Sequence, residues 1–198
     1  MFIAWLLLGV LVVLISIWIF GFLRLNDRSL PIANTAIYKR VLVIFPHPDD
    51  EVLTVGGLIG ALRAQGAAVK VVFLTRGERG TPDGKLDLEL KQIRVLEAQT
   101  VAKTLGITDL VLEDFGDGVL EQKTSELALY VQTLLTEYEP DLVVTYDQSG
   151  LYGHPDHIAV SEVVSEVIRT HKQPLELWYP SYPKSVLEMI ALPEHMAN

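Results

Sequence analysis

The stretch VLVIFPHPDDE (residues 41–51) joins an apolar run directly to a dense group of ionisable side chains. Its first five residues are apolar and rich in β-branched types, a composition typical of a strand buried on both faces of a parallel sheet. The loop that follows carries four ionisable residues: His47, Asp49, Asp50 and Glu51. A surface loop is usually polar because it contacts water, but that contact does not require this combination of ionisable residues. The stretch therefore predicts that a functional site begins where the first strand ends.

Similar apolar runs recur along the chain and alternate with segments long enough for helices. The predicted strands cover residues 41–45, 69–74, 109–112, 141–145 and 175–179, and the predicted helices cover residues 51–65, 87–105, 122–138 and 155–171. Strands that alternate with helices indicate βαβ units and a mostly parallel sheet. We therefore expect an α/β fold with a Rossmann-like sheet and helices on both of its faces.

A polar loop that contains glycine or proline follows each of the first four predicted strands. These loops are PHPDDE (46–51), TRGERG (75–80), EDFGDG (113–118) and YDQSGLYGHPDH (146–157). In an open α/β sheet, ligands bind beyond the carboxyl ends of the parallel strands. We therefore expect all four loops to meet at one edge of the sheet and to form a single site.

The N-terminal segment is unlike the rest of the chain. Residues 2–23 carry no charge and form an apolar run long enough to cross the hydrocarbon core of a bilayer. Arg24 and Arg28 follow this run, so the positive-inside rule places the C-terminal body in the cytoplasm. A cleaved secretory signal is the alternative, although such signals usually have a basic start and a shorter apolar region. We expect a retained single-pass membrane anchor over residues 2–23, a tether over 24–37 and one globular domain over 38–198.

Composition excludes several classes of function. The net charge is −9 and the sequence has no run rich in Lys and Arg, so nucleic acid is not an expected partner. The chain has no cysteine, which excludes disulfides and thiolate metal sites. Any transition-metal site must therefore be built from histidine and carboxylate ligands.

Histidines and adjacent aspartates in these loops suit a borderline divalent metal such as Zn²⁺. Catalytic zinc commonly takes three protein ligands from His, Asp and Glu and keeps a position for water, whose proton a nearby carboxylate can accept. Asp49 and Asp50 are adjacent and point in different directions, so one can bind metal while the other acts as the base. His154 and His157 are spaced i, i+3, so one can bind metal while the other contacts substrate.

Each loop also has an ordinary structural interpretation. Asp50 and Glu51 can be acids that the dipole of a helix favours in its first turn. GHPDH (153–157) can be a capped helix start with Pro155 near the first turn. The expected placement of both loops at one edge of the sheet favours the functional interpretation.

Taken together, PHPDDE and GHPDH in an α/β frame resemble the PIG-L/LmbE family of metal-dependent de-N-acetylases. The similarity covers about residues 41–179. The resemblance implies an enzyme that removes the acetyl group from an N-acetylglucosaminyl glycoside or glycolipid. Two alternatives are an amidase that cleaves another amide of a sugar conjugate and an inactive, membrane-tethered carbohydrate-binding protein. The presence of Asp49 argues against the second alternative, because a binding protein does not need a general base.

The resemblance also implies roles for individual residues. It implies that Zn²⁺, or another divalent transition metal, is bound by three side chains: His47, Asp50 and His157. Asp49 would be the general base. His154 would stabilise the oxyanion and protonate the departing amine. Asp156 would orient a histidine, and Tyr152 would assist at the oxyanion.

Three further residues are expected to contact substrate. Arg94 and Glu97 fall on the apolar stripe of the helix predicted over 87–105; they can form a buried ion pair, whereas the resemblance implies that Arg94 contacts the polar aglycone. Asp117 matches a sugar-contacting acid of the family, although Asp-Gly also favours a turn. The loop TRGERG lacks the GKS/T ending of a nucleotide-binding loop, so Glu78 is predicted on the sugar side of the site.

Overall fold

A computed structural model describes residues 2–25 and 33–181 of the chain, and its first element is helix α1 (Phe2–Leu25). Residues Phe2–Leu23 have a mean hydropathy of 2.9, so the helix is long and apolar enough to cross a membrane. A signal sequence near an N-terminus has the same properties, so the retained anchor stays a prediction. The predicted tether and the end of the predicted domain include residues 26–32 and 182–198, which lie outside the described residues.

Residues Asn34–Ser181 form a separate compact unit built on one sheet. In this described unit the strands are β1 (Arg40–Phe45), β2 (Ala68–Phe73), β3 (Asp109–Leu112), β4 (Leu142–Val144) and β5 (Glu176–Trp178). Their order is β3-β2-β1-β4-β5, and every neighbouring pair is parallel. The prediction of a mostly parallel α/β sheet is confirmed.

The helices of this unit are α2 (Asp50–Ala64), α3 (Leu88–Leu105), α4 (Thr124–Tyr138), α5 (Gly150–Gly153) and α6 (Pro155–Arg169). Short 3-10 turns cover Thr35–Ile37 and Leu120–Lys123. The long helices match the predicted segments closely, except that the segment predicted as helix from residue 122 begins as the second 3-10 turn. The short helix α5 was not predicted, because four residues are too few to show a helical period.

The two faces of the sheet bury separate apolar clusters. On β1, Val41 and Val43 face a cluster that includes side chains of α2 and α3. Leu42 and Ile44 face the opposite cluster, which includes side chains of α4 and α6. Successive residues of a strand point to opposite faces, so a continuous apolar run such as VLVIF can fill both clusters. Helices therefore cover both faces, as predicted.

The strand order places a crevice beside β1. From β1 the chain proceeds outward through β2 to β3, and then returns to place β4 and β5 on the other side of β1. The connections that leave β1 and β4 therefore diverge, and ligands of open α/β sheets bind at such a point. The loop after β1 and the loop after β4 are the two stretches with the highest density of histidine and aspartate.

Candidate active site

A cavity of about 170 Å³ lies at the carboxyl edge of the sheet. Each of the four predicted loops contributes to its wall, for example through His47 after β1, Gly80 after β2, Asp117 after β3 and His154 after β4. The topology therefore brings together side chains more than a hundred positions apart in the sequence.

Asp50 lies in the first turn of α2 and is almost completely buried. Its Oδ2 accepts a hydrogen bond from the backbone N–H of His47 at 2.9 Å, and its Oδ1 accepts one from the Tyr146 hydroxyl at 2.7 Å. Burial raises the pKa of Asp50, but the hydrogen bonds and the charge of His47 outweigh burial and lower it. The carboxylate is thus held ionised in a fixed orientation.

His157 presents a free ring nitrogen to the same point. Its Nδ1 lies 3.1 Å from the Gly150 carbonyl oxygen, and because a carbonyl only accepts, Nδ1 carries the proton. Among the described residues, the buried Nε2 has no hydrogen-bond partner. Burial lowers the pKa of His157 to about 4, so the ring is neutral near pH 7. A neutral imidazole held by its other nitrogen is the usual form of a metal-binding histidine.

Asp50 lies close to a ring nitrogen of both His47 and His157. The distance from His47 Nδ1 to Asp50 Oδ2 is 3.6 Å, and that from His157 Nε2 to Asp50 Oδ1 is 3.4 Å. Ligands at about 2.0–2.2 Å from a tetrahedral ion are separated from one another by about 3.3–3.6 Å. Each histidine thus lies at a suitable separation from a different oxygen of Asp50, and the role of the three residues as ligands stays a prediction.

In the described part of the chain, two groups of side chains have donor atoms close enough to hold a metal, and both include His47 but not Asp50. One consists of His47, His154 and His157, and the other of His47, Asp117 and Asp156, with donor atoms within 4.8 Å of one another in each group. In the second group the carboxylates already accept backbone hydrogen bonds: Asp156 from Gly118 and Leu120, and Asp117 from Arg79. Both carboxylates also lie within 3.2 Å of His47 Nε2, so they are placed to orient a metal-binding histidine through that nitrogen.

His47 is surrounded by carboxylates. Its Nε2 lies 3.1 Å from Asp117 Oδ1 and 3.2 Å from Asp156 Oδ2. Burial lowers the pKa of His47, but hydrogen bonds with Asp117, Asp156 and Asp50 outweigh burial and hold the pKa well above its usual value. The carboxylates around this ring thus favour its protonated form, and a metal bound to His47 would displace that proton. Asp156 contacts a histidine as predicted, and its orienting role stays a prediction.

Asp49 lies at the N-terminal end of α2, directly before Asp50. Its backbone has φ 106° and ψ −26°, a left-handed conformation that few residues other than glycine adopt. Its half-exposed carboxylate lines the cavity and accepts a hydrogen bond from Arg94 Nη1 at 2.7 Å. Its backbone N–H donates to Glu51 Oε2 at 3.1 Å. Asp49 is therefore free to meet a molecule in the cavity, as a general base must.

His154 is compatible with both the structural and the functional interpretation of GHPDH (153–157), because it caps α6 and also lines the cavity. Its Nδ1 accepts a hydrogen bond from the Asp156 backbone N–H at 3.2 Å, so it caps α6, with Pro155 as the first helical residue. In the neutral ring the proton is then on Nε2, where it can be donated. Burial and the nearby His47 lower the pKa of His154. Tyr152 is 55% exposed at the mouth of the cavity, and its ring centroid lies 6.2 Å from that of His154.

The three predicted substrate-binding residues have different surroundings. Arg94 lines the cavity and pairs with Asp49; the alternative of an ion pair with Glu97 gains no support. Asp117 lines the cavity beside His47. Glu78 is buried, and its two oxygens accept backbone hydrogen bonds from Asp117 at 3.0 Å and Arg76 at 3.3 Å. Glu78 therefore links two loops of the site, and all three substrate contacts stay predictions.

Two residues that contact Asp50 or His157 were not identified from the sequence. The Tyr146 ring stacks on the His157 ring, with centroids 4.2 Å apart, while its hydroxyl contacts Asp50. Gly150 supplies the carbonyl that fixes the His157 ring. The signal for Tyr146 was its position as the first residue after the apolar run that forms β4. Gly150 gave no comparable signal, because its role depends on a backbone carbonyl.

A family model described as "PIG-L: GlcNAc-PI de-N-acetylase" matches residues 42–168. The probable N-acetyl-α-D-glucosaminyl L-malate deacetylase 2 of Bacillus anthracis is 36% identical over 137 residues, which cover 67% of this chain and 60% of that protein. The diacetylchitobiose deacetylase of Thermococcus kodakarensis is 38% identical over 121 residues, which cover 60% of this chain and 45% of that protein.

The structure is also similar to a solved one. The N,N′-diacetylchitobiose deacetylase from Pyrococcus horikoshii, complexed with an inhibitor, superposes with a TM-score of 0.60 at 30% identity, covering 78% of this chain and 59% of that chain. This chain thus spans about 60% or less of the length of these relatives. The region that matches the family model, residues 42–168, contains every residue that lines the cavity.

Proposed function

Because this chain belongs to the PIG-L family of GlcNAc-PI de-N-acetylases, we propose that it is a metal-dependent hydrolase of N-acetylglucosaminyl glycosides or glycolipids. The reaction is removal of the acetyl group from the sugar nitrogen. The observation that carries the proposal is the Nε2 of buried His157, which has no hydrogen-bond partner among the described residues and lies 3.4 Å from Asp50, a carboxylate that lines the cavity together with Asp49. The relatives named as deacetylases of N-acetylglucosamine derivatives support this choice of substrate.

We propose Zn²⁺ as the metal, held by His47, Asp50 and His157. Two imidazoles and one carboxylate are a ligand set typical of catalytic zinc. When bound, the ion would supply Lewis acidity and lower the pKa of a bound water towards 7. Asp156 and Asp117 would orient His47, and the Gly150 carbonyl would orient His157.

The catalytic steps are assigned to Asp49 and His154. Asp49 accepts a proton from the attacking water, whose oxygen adds to the acetyl carbonyl carbon. His154 Nε2–H donates a hydrogen bond to the carbonyl oxygen as negative charge develops there. The carbon–nitrogen bond then breaks as the proton that Asp49 took from the water passes to the departing amine, and acetate and the free amino sugar are released. Asp49 takes this step in place of His154, because a neutral His154 ring that gave up its Nε2 proton would become an imidazolate. Tyr152 at the mouth of the cavity assists at the same oxygen.

A test of this function is acetate release from a panel of N-acetylglucosaminyl substrates. The panel contains methyl N-acetylglucosaminide, N,N′-diacetylchitobiose and N-acetylglucosaminyl phosphatidylinositol, each assayed before chelation, after chelation and after zinc is restored. We expect acetate from at least one substrate, loss of activity on chelation and recovery with zinc. Release of a different acid from an N-acyl conjugate would favour the amidase alternative, and saturable binding without turnover would favour the inactive carbohydrate-binding protein.

We further propose that α1 is a retained membrane anchor and that the catalytic unit faces the cytoplasm. The uncharged length of residues 2–23 and the position of Arg24 and Arg28 after it support this orientation. A lipid-linked substrate would benefit from such an anchor, because both molecules would be concentrated at the same membrane.

A further inference from the structure

Arg94 reaches from α3 to the loop that carries Asp49. Its Nη1 donates hydrogen bonds to Asp49 Oδ2 and to the Pro48 carbonyl oxygen, each at 2.7 Å. The Arg94 side chain is only 20% exposed, so these contacts are partly shielded from water. One guanidinium nitrogen thus holds both the carboxylate of Asp49 and the backbone immediately before it.

The backbone at Asp49 needs support of this kind. A φ of 106° is unfavourable for a residue with a Cβ, and such conformations persist only where the surrounding structure imposes them. Arg94 holds the preceding carbonyl, and Glu51 accepts a hydrogen bond from the Asp49 N–H. Both contacts hold the peptide unit that joins Pro48 to Asp49, and together with the hydrogen bond from Arg94 to the carboxylate they determine where that carboxylate points.

The Arg94 side chain packs against two glycines, Gly77 and Gly80. A Cβ added at Gly77 would lie 2.6 Å from Arg94 Cδ, and one added at Gly80 would lie 2.8 Å from Arg94 Nη2. Side chains at these positions would therefore displace the guanidinium. The loop itself is held in place by Glu78, which accepts backbone hydrogen bonds from Arg76 and Asp117.

We propose that Arg94 is a positioning residue for Asp49, and that Gly80 is a glycine because the Arg94 side chain passes directly against it; at Gly77 a φ of 66° favours glycine as well. The proposal rests on the proposed role of Asp49 as the general base. It assigns Arg94 a different primary role from the contact with the substrate's aglycone that the family resemblance implies. A positioning residue changes kcat, because Asp49 acts in the chemical step, whereas an aglycone contact changes chiefly KM.

The first test is the kinetics of Arg94→Ala and Arg94→Lys in the zinc-loaded full chain, with N,N′-diacetylchitobiose as substrate. Charge-assisted hydrogen bonds of this kind predict a fall in kcat of about 10- to 100-fold for Arg94→Ala. KM should stay within about twofold and zinc content should be unchanged. Arg94→Lys, or guanidinium ion added to Arg94→Ala, should restore part of kcat. A raised KM with unchanged kcat would overturn the proposal in favour of substrate binding.

The second test displaces Arg94 without changing it. Gly80→Ala should lower kcat, whereas Gly60→Ala in α2, where an added Cβ meets nothing within 4 Å, should leave it unchanged. In the Arg94→Ala background Gly80→Ala should have little further effect, because the side chain that it displaces is gone. An equal loss in both backgrounds would show that residue 80 acts on the substrate directly, and would contradict its proposed link to Arg94.

A third test needs no turnover and separates this inference from the proposed function. Thermal unfolding of Arg94→Ala, Asp49→Ala and the double variant, all without added metal, forms a double-mutant cycle. A direct contact predicts that the double variant loses about 2–4 °C less in Tm than the sum of the single losses. Additive losses would overturn the Arg94–Asp49 link, whereas absence of acetate release from every substrate of the panel would count against the proposed function alone.

Discussion

Asp49 lies beside the three proposed metal ligands without joining them, and its role can be separated from theirs. Asp49→Asn keeps the shape of the side chain but cannot accept a proton, so we expect kcat to fall by about 10²- to 10⁴-fold. Bound zinc, measured by elemental analysis, should stay near the wild-type amount. Asp109→Asn, at the start of β3 and thus at the opposite edge of the sheet, is the control. Wild-type turnover in Asp49→Asn would show that another group is the base.

Tyr146 contacts two of the proposed metal ligands, Asp50 and His157. Its hydroxyl donates to Asp50 Oδ1 at 2.7 Å, and its ring stacks on that of His157. Tyr146→Phe removes only the hydrogen bond, and loss of such an outer contact typically weakens metal binding by about 10- to 100-fold. Competition with a chromophoric chelator would measure this change. Tyr130→Phe removes a comparable hydrogen bond to Glu113, outside the cavity, and should bind zinc normally. Equal zinc affinity in both variants would contradict the role of Tyr146.

At the scale of elements, the backbone of α5 orients one proposed ligand, His157. Gly150 has φ 62°, and a Cβ there would lie 2.9 Å from His157 Cβ. Gly150→Ala should therefore lower stability by about 1–2 kcal/mol and shift His157, with loss of zinc. Gly60→Ala, inside α2, is the matched control and should be neutral or slightly stabilising. Calorimetry together with zinc analysis would measure both effects. An unchanged Tm and zinc content in Gly150→Ala would show that the loop relaxes around the methyl group.

The long elements were predictable because their patterns are strong. The bounds of β1 and α6 are close to those predicted, which were residues 41–45 and 155–171. The edge of the sheet at which the site lies also followed from the order of strands and polar loops. Two features could not be predicted from the sequence: the left-handed backbone of Asp49 and the pairing of Arg94 with Asp49. Both depend on contacts between segments distant in sequence. Periodicity describes one element at a time, so it cannot predict such contacts.

At the scale of the whole molecule, the proposed anchor determines on which side of the membrane the catalytic unit lies. A retained anchor with Arg24 and Arg28 in the cytoplasm predicts a membrane-bound, uncleaved chain whose body resists protease added outside intact cells. The body should be digested once the membrane is permeabilised, and a tag on an outward-facing protein provides the control. Digestion in intact cells would show the opposite topology, and a mature form that lacks residues 2–23 would show a cleaved signal sequence.

The most direct test of the proposed chemistry follows the oxygen of the attacking water. The zinc-loaded full chain is incubated in H₂¹⁸O with whichever substrate of the panel releases acetate fastest, and the products are analysed by mass spectrometry. Hydrolysis predicts acetate with one ¹⁸O atom and an equal amount of the free amino sugar. Both products should fall with Asp49→Asn to the low rate expected of that variant. Unlabelled acetate, or labelled acetate formed equally fast by Asp49→Asn, would contradict an Asp49-assisted hydrolysis in this cavity.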